Sequence, residues 1–394
     1  MEMAQIGATP KGGVCRVALS DEDKAARDLF IQWCQAAGCK ITVDRLGNIF
    51  ARREGKRIDL PPVVACSHLD TVPSGGKFDG ALGVLSGLEV IETLNDANTT
   101  TTAPLELISW TNEEGARFAP AMLASGVFGG VFDLAYALGR TDKEGHTVRA
   151  ELQRIGYAGN TPVGDHPIKA AFELHIEQGP LLELQEKTIG VVTGVQGMRW
   201  YNVIIEGEEA HAGPTPMPYR RDPVQGATAI LRRLFELATE HAPHARVTVG
   251  NLQAEPGVIN TVPGRLTFTV DLRHPEATTL TEMDIGLKAI VQEECGSANL
   301  DGTVENVWYS PPVVFADQCI RSIRKAVSTL DLASLDMVSG AGHDAVYVSH
   351  VAPTGMIFVP CKEGLSHNEL ESVKPEEAAA GATVLLHAML DQAN

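Results

Sequence analysis

The sequence predicts an α/β protein whose mainly parallel sheet is interrupted by a second, smaller unit of order βαββαβ. Three observations carry that prediction. The chain has 394 residues, which at roughly 150 residues per domain makes room for two or three domains. Both ends of the chain alternate compact apolar strands with amphipathic helices, the rhythm of a sheet covered on both faces. Near Gly194 that rhythm changes, and it resumes only after Pro311 and Pro312.

Taken in order, Ala25, Leu29, Phe30, Trp33 and Ala37 recur at helical spacing over 21–38, with Ser20 as the N-cap and Gly38 as the stop. Strands follow over 40–44 and 48–52 around a glycine turn, then over 62–67, ending at His68. Residues 81–94 read as a helix, and 105–111 as an apolar strand ending at Asn112, Glu113 and Glu114. The interrupting unit comprises a strand over 199–206, a helix over 222–241, strands over 245–253 and 265–273, a helix over 279–295 and a strand over 303–309. That order is the ferredoxin-like arrangement. A helix over 320–330, a strand over 354–359 and a helix over 375–390 complete the chain. The expected division is therefore 1–193 with 311–394 as one domain and 194–310 as an inserted second.

Composition removes several function classes. Hydrophobic residues make up 44% and charged ones 21%, the balance of a folded globular protein. A formal net charge of −18 repels phosphate backbones and anionic bilayers, so neither nucleic acid nor membrane is an expected partner. No apolar run approaches the ~18 residues a membrane span needs. The seven cysteines are odd in number, scattered and without a CxxC pair, which points to reduced thiols and a cytoplasmic setting.

Chemistry concentrates where predicted strands end. His68-Leu69-Asp70, Glu113-Glu114 and His175-Ile176-Glu177-Gln178 each close a strand, Asp79 opens a helix among glycines, and His367 follows the last strand. One histidine of the twelve would mean little, but five coincident positions are imidazole and carboxylate donors suited to zinc, cobalt, nickel or manganese. Five donors hold two metals if one carboxylate bridges. Asp70, two residues from His68 along a strand, points the same way and is placed to orient a ligand.

With these residues in place the sequence resembles a known family. His68-x-Asp70 with Thr71-Val72-Pro73, Gly75-Gly76-x-x-Asp79-Gly80 and Glu113-Glu114-Gly115-x-Arg117-Phe118 resemble the dinuclear metallopeptidase-like amidohydrolases. Glu173-Leu174-His175-Ile176-Glu177-Gln178-Gly179-Pro180, His211-Ala212-Gly213-Pro214-Thr215-Pro216-Met217, Gly340-Ala341-Gly342-His343-Asp344-Ala345 and Ser366-His367 are similar to the hydantoinase/carbamoylase branch. That branch includes N-carbamoyl-L-amino acid hydrolases, β-ureidopropionases and allantoate amidohydrolases. Members usually carry an extra helix ahead of Ile6-Gly7-Ala8-Thr9, whereas here only Met1 to Gln5 precede it, which reads as a trimmed start.

The resemblance implies two divalent ions per subunit, zinc first, with manganese, cobalt or nickel as alternatives. His68 and His175 would hold one ion, Glu114 and His367 the other, and Asp79 would bridge. Water between two such ions is acidified toward hydroxide near neutral pH, and Glu113 would serve as its base. The inserted domain becomes a dimerisation lid, with His211 helping to stabilise the oxyanion from the other subunit of a homodimer. Asn260 and Arg273 would hold the substrate carboxylate and ureido group, and an Arg fork suits a carboxylate because two parallel hydrogen bonds fix position and angle. Gln178, Gly342 and His343 match further substrate-contact positions. The implied activity is hydrolysis of the carbamoyl amide of a small anionic ureido substrate, an N-carbamoyl-L-amino acid, with allantoate or carbamoyl-β-alanine as alternatives. A non-catalytic binding protein on this fold would be expected to lack a ligand or the base, and none is missing.

Overall fold

A computed structural model describes residues 1–394. The chain divides into two compact units, one of Met1–Thr193 with Val314–Asn394, the other Gly194–Val313. No helix is long and apolar enough to cross a membrane.

In the first unit the strands lie in the order Lys40–Val43, Ile49–Arg53, Leu105–Trp110, Val63–His68, Ala170–Ile176, Thr354–Val359, Ile189–Val195 and Val313–Val314, with Ser334–Ser339 also pairing on Ile189–Val195. The parallel sheet expected from the sequence exists only at the centre. There Leu105–Trp110, Val63–His68, Ala170–Ile176 and Thr354–Val359 run parallel, while the outer strands pair antiparallel. For the first pair the cause is connection length: Lys40–Val43 and Ile49–Arg53 are separated by a tight turn with Gly47 at φ 80°, and so short a link permits only an antiparallel pair. The four central strands are buried along their whole length, as a sheet covered on both faces requires.

Helices Ala81–Asp96 and Pro375–Ala393 cover one face; Phe50, Trp110 and Phe128 fill the other around Val64, Cys66 and Ile108. The helix at 81–96 approaches its strands unusually closely, because a Cβ at Gly83 would lie 2.3 Å from the Leu174 carbonyl oxygen. Gly83→Ala should therefore destabilise the protein although alanine is the better helix former by about 1 kcal/mol. Overpacking of this kind costs roughly 1–3 kcal/mol, so we expect a lower urea midpoint with an unchanged slope; a midpoint equal to or above wild type would show that the helix moves aside freely.

The second unit is an antiparallel sheet in the order Leu252–Glu255, Arg265–His274, Gly197–Glu206, Asp301–Ser310, with helices Pro223–Glu240 and Ala277–Ser297. Alternate residues Tyr201, Val203 and Ile205 of one strand and Leu266, Phe268, Val270 and Leu272 of its neighbour join Leu234, Leu280 and Leu287 in a core, the period-two pattern of a sheet packed on one side. The strand expected over 245–253 is broken in two, Arg246–Thr248 and Leu252–Glu255. Between Thr248↔Asp271 and Leu252↔Phe268 the register steps by one residue, a bulge at Gly250. Beyond the Glu206↔Arg265 pair, Ala210–His211 and Thr261–Val262 form a short two-stranded ribbon.

Candidate metal centre

His68 ends a buried parallel strand, and a strand end is where a side chain leaves the sheet toward a loop-lined cleft. Its Nδ1 lies 2.9 Å from the Asp70 carbonyl oxygen. A carbonyl only accepts, so Nδ1 carries a proton, and Nε2 is the nitrogen left to meet another partner, with a lone pair to offer whenever the ring is neutral. His175 repeats the device, with Nδ1 3.0 Å from the Ile176 carbonyl oxygen. Both Nε2 atoms then face the same carboxylate oxygen, Asp79 Oδ1, at 3.5 Å from His68 and 3.1 Å from His175. Orienting one nitrogen fixes what the other can bind.

The second oxygen of Asp79 faces the other way. His367 Nε2 stands 3.7 Å from Asp79 Oδ2 and 3.1 Å from Glu114 Oε2. Ser366 Oγ and Gln178 Nε2 also donate to Asp79 Oδ2, at 2.7 and 3.0 Å. The donors thus fall into two groups, His68–Asp79–His175 and Asp79–Glu114–His367, each with its ligand atoms within 4.8 Å of one another. They share Asp79. Imidazole nitrogens and carboxylate oxygens in two sets joined by one carboxylate fit a pair of divalent ions. A third group, Glu173–His175–His343, does not, since Glu173 accepts from Ser67 Oγ and the Ala345 N–H and His343 Nε2 is engaged by Ser339 Oγ at 2.9 Å.

Glu113 lies beside this centre, its Oε2 3.7 Å from His68 Nε2. Burial pushes its carboxyl well up; His68 opposes the shift, and Asp344, Glu114 and Asp70 add to it. Burial would raise Asp79 too, but the charges and hydrogen bonds of His175 and His68 outweigh it and hold that carboxylate well below its ordinary range. The hydrogen bond with Glu114 raises the His367 imidazole to about 9. His367→Ala removes one of the three donors of its group, so its metal content should fall below that of wild type. A fully loaded variant, measured by elemental analysis, would take His367 out of the ligand set.

Asp70 touches the donor residues through two different groups. Its carbonyl orients His68, while its carboxylate accepts the N–H groups of Glu113 at 3.2 Å and Glu114 at 3.3 Å, fixing the main chain of the acidic pair. His343 is 1% exposed, and its ring packs edge-on against the donor His175 at 4.6 Å between centroids. Gly342 lies in the same turn, where a Cβ would meet Met122. Gln178 stands at Asp79, as described. His211, Asn260 and Arg273 belong to the second unit. The Ala212 N–H donates to the Asn260 carbonyl at 2.9 Å, which brings the His211 and Asn260 segments together in the ribbon. Arg273 pairs with Met198 at the opposite end of its strand and forks onto Asp271, with bonds of 3.1 and 2.7 Å.

Sequence reasoning misses Glu371, a buried carboxylate beneath the Asp79 loop, and gives Ser366 no role. Glu371 sits in Ser366-His367-Asn368-Glu369-Leu370-Glu371, where nothing distinguishes it from a surface acid.

The comparisons with known proteins agree with this geometry. The family model described as Peptidase family M20/M25/M40 matches residues 65–391. A crystal structure of an amidase of the hydantoinase/carbamoylase family from Burkholderia multivorans superposes with a TM-score of 0.97 at 55% identity, covering 100% of this chain and 96% of that one. An N-carbamoyl-L-amino-acid amidohydrolase from Rhizobium meliloti is 47% identical over 393 residues, 100% of this chain and 94% of that protein. An allantoate amidohydrolase from Bacillus subtilis is 32% identical over 385 residues, 97% of this chain and 93% of that protein. With two donor sets meeting at Asp79 on this fold, the chain belongs to peptidase family M20/M25/M40 and, within it, to the hydantoinase/carbamoylase amidases.

Proposed function

We propose that the protein hydrolyses the carbamoyl amide of N-carbamoyl-L-amino acids, giving the amino acid, ammonia and carbon dioxide. The observation that carries this reading is Asp79 directing its two oxygens to two separate donor sets with Glu113 alongside. The higher identity to an N-carbamoyl-L-amino-acid amidohydrolase than to an allantoate amidohydrolase supports the substrate class.

His68, His175 and Asp79 would hold one divalent ion, and Asp79, Glu114 and His367 a second, zinc being the first candidate and manganese, cobalt or nickel the alternatives. When bound, such ions polarise the carbonyl and make water a nucleophile at neutral pH. Glu113 takes the proton of the attacking water and passes it to the departing ammonia, and its burial suits it to carry that proton between the two steps. The remaining carbamate loses carbon dioxide and frees the amine. His211 donates to the carbonyl oxygen as negative charge develops there. Arg273 exchanges Asp271 for the substrate carboxylate, and Asn260 and Gln178 hold the ureido group.

These substrate groups support a homodimer. Arg273 and Arg265 are eight residues apart on an extended strand, ~26 Å at the usual rise, and the ribbon bearing His211 continues beyond Arg265. His211 and Arg273 of one chain therefore cannot grip the same small molecule. Met217, Tyr219, Val258 and Ile259 around the ribbon are exposed, Ile259 wholly so, as expected of a tip that enters a partner. The open edge strand Asp301–Ser310 suits pairing with a second copy. All seven cysteines are free, which supports a reducing, cytoplasmic compartment.

The test is ammonia release after stripping the protein of metal and reloading it with zinc, manganese, cobalt or nickel in turn. N-carbamoyl-L-amino acids should be turned over faster than carbamoyl-β-alanine or allantoate. Turnover confined to either of the latter would replace the substrate assignment.

A further inference from the structure

Asp79 and His367 sit on loops from opposite ends of the chain, and one buried side chain joins them. Glu371 Oε1 accepts the N–H of Phe78 at 2.8 Å and the N–H of Asp79 at 3.1 Å, the latter 292 residues away in sequence. The side chain reaches these amides because residue 76 is glycine: a Cβ there would lie 2.1 Å from Glu371 Cδ. Glu371 is 4% exposed, so the acceptor of both hydrogen bonds is shielded from water. Ser366, on the same loop, bonds the Asp79 carboxylate itself. The loop that carries His367 thus holds Asp79 by both its main chain and its carboxylate. His367 needs such an anchor, for it lies outside any strand, is half-exposed and has φ 52°.

We propose that Glu371 is a positioning residue that clasps the Asp79 main chain to the His367 loop and so sets the spacing of Asp79 Oδ2, Glu114 and His367 for a divalent ion. This rests on the metal reading above. The Asp79 N–H is buried and the Phe78 N–H part-buried, so removing their shared acceptor takes away the group that fixes the Asp79 turn. Groups that orient a metal ligand in this way typically account for ~10–100-fold in metal affinity.

Three variants test the clasp. Glu371→Ala removes the acceptor. Glu371→Gln keeps an acceptor oxygen of the same reach without the charge. Gly76→Ala leaves Glu371 chemically intact but places a methyl group where its carboxylate lies. Zinc affinity is read by competition with a chromophoric chelator, and hydrogen exchange of the Phe78 and Asp79 amides is read in the metal-free protein. Circular dichroism confirms folding; should Glu371→Ala fail to fold, the other two variants still decide.

Glu371→Ala and Gly76→Ala should lose ~10–100-fold in zinc affinity and exchange both amides faster, while Glu371→Gln stays close to wild type in both. Unchanged affinity in Glu371→Ala or Gly76→Ala would overturn the proposal, as would unchanged exchange. So would a loss in Glu371→Gln as large as in Glu371→Ala, because charge rather than acceptor position would then be responsible. If the variants behave as expected but the loaded wild type hydrolyses no carbamoyl amino acid, the substrate reading fails and the clasp stands. A wild type that takes up no zinc would overturn the metal reading and the clasp's role with it.

Discussion

Glu113→Gln is expected to lose turnover by ~10²- to 10⁴-fold, about 3–5 kcal/mol in barrier height, while its metal content stays that of wild type. Glutamine has the shape of glutamate but cannot take up the water proton. The position of the side chain should survive, because the main chain at 113 and 114 is held by the Asp70 carboxylate, which the substitution leaves alone. Glu114, whose Oε2 faces His367, is also untouched. Metal analysis beside steady-state kinetics separates the two roles open to Glu113. Activity near wild type would remove it as the base, and lost metal would make it a ligand instead.

The second large effect is a recovery. Glu113→Gln and His211→Ala homodimers should each be nearly inactive, yet heterodimers of the two should regain up to about half of wild-type activity. One of their two sites combines an intact Glu113 with an intact His211, and the other carries both lesions. The expectation follows from the second unit, where His211 lies on the ribbon at one end of the sheet and Arg273 at the other. In the proposed homodimer, a substrate held by Arg273 would meet the His211 of the other subunit. Co-expression with two affinity tags isolates the heterodimer. If verified heterodimers stay inactive, His211 either serves its own chain or has no part in turnover.

Much of the fold and of the metal centre is legible in the amino-acid sequence. The alternation of strands and helices marks an α/β protein, since covering a sheet on both faces leaves a repeating apolar signal. His68, Glu113, Glu114 and His175 stand out because each ends or closely follows an apolar run where a polar donor has no packing purpose, and Asp79 and His367 because the motifs around them match the family's. Spacing along one strand also places Asp70 near His68. It cannot reveal that the Asp70 carboxylate turns to the main chain of Glu113 and Glu114, because that partner arrives from the neighbouring strand.

Other features depend on which distant segments meet. Glu371 and His343 are written as an acid in a polar loop and as a histidine among glycines, and only burial turns one into a clasp and the other into a packing partner of His175. The first two strands run antiparallel because their connection is short, and the strand at 245–253 breaks at a bulge beside Asn251, whose N–H turns to the Thr269 hydroxyl. The donor types, their order and the layers of the fold follow from the sequence alone, because local periodicity and side-chain chemistry dictate them. Which oxygen of Asp79 faces which histidine, and what holds Asp79 there, is settled only by the folded chain, because a hydrogen bond between residues 292 apart exists only once the chain has closed on itself.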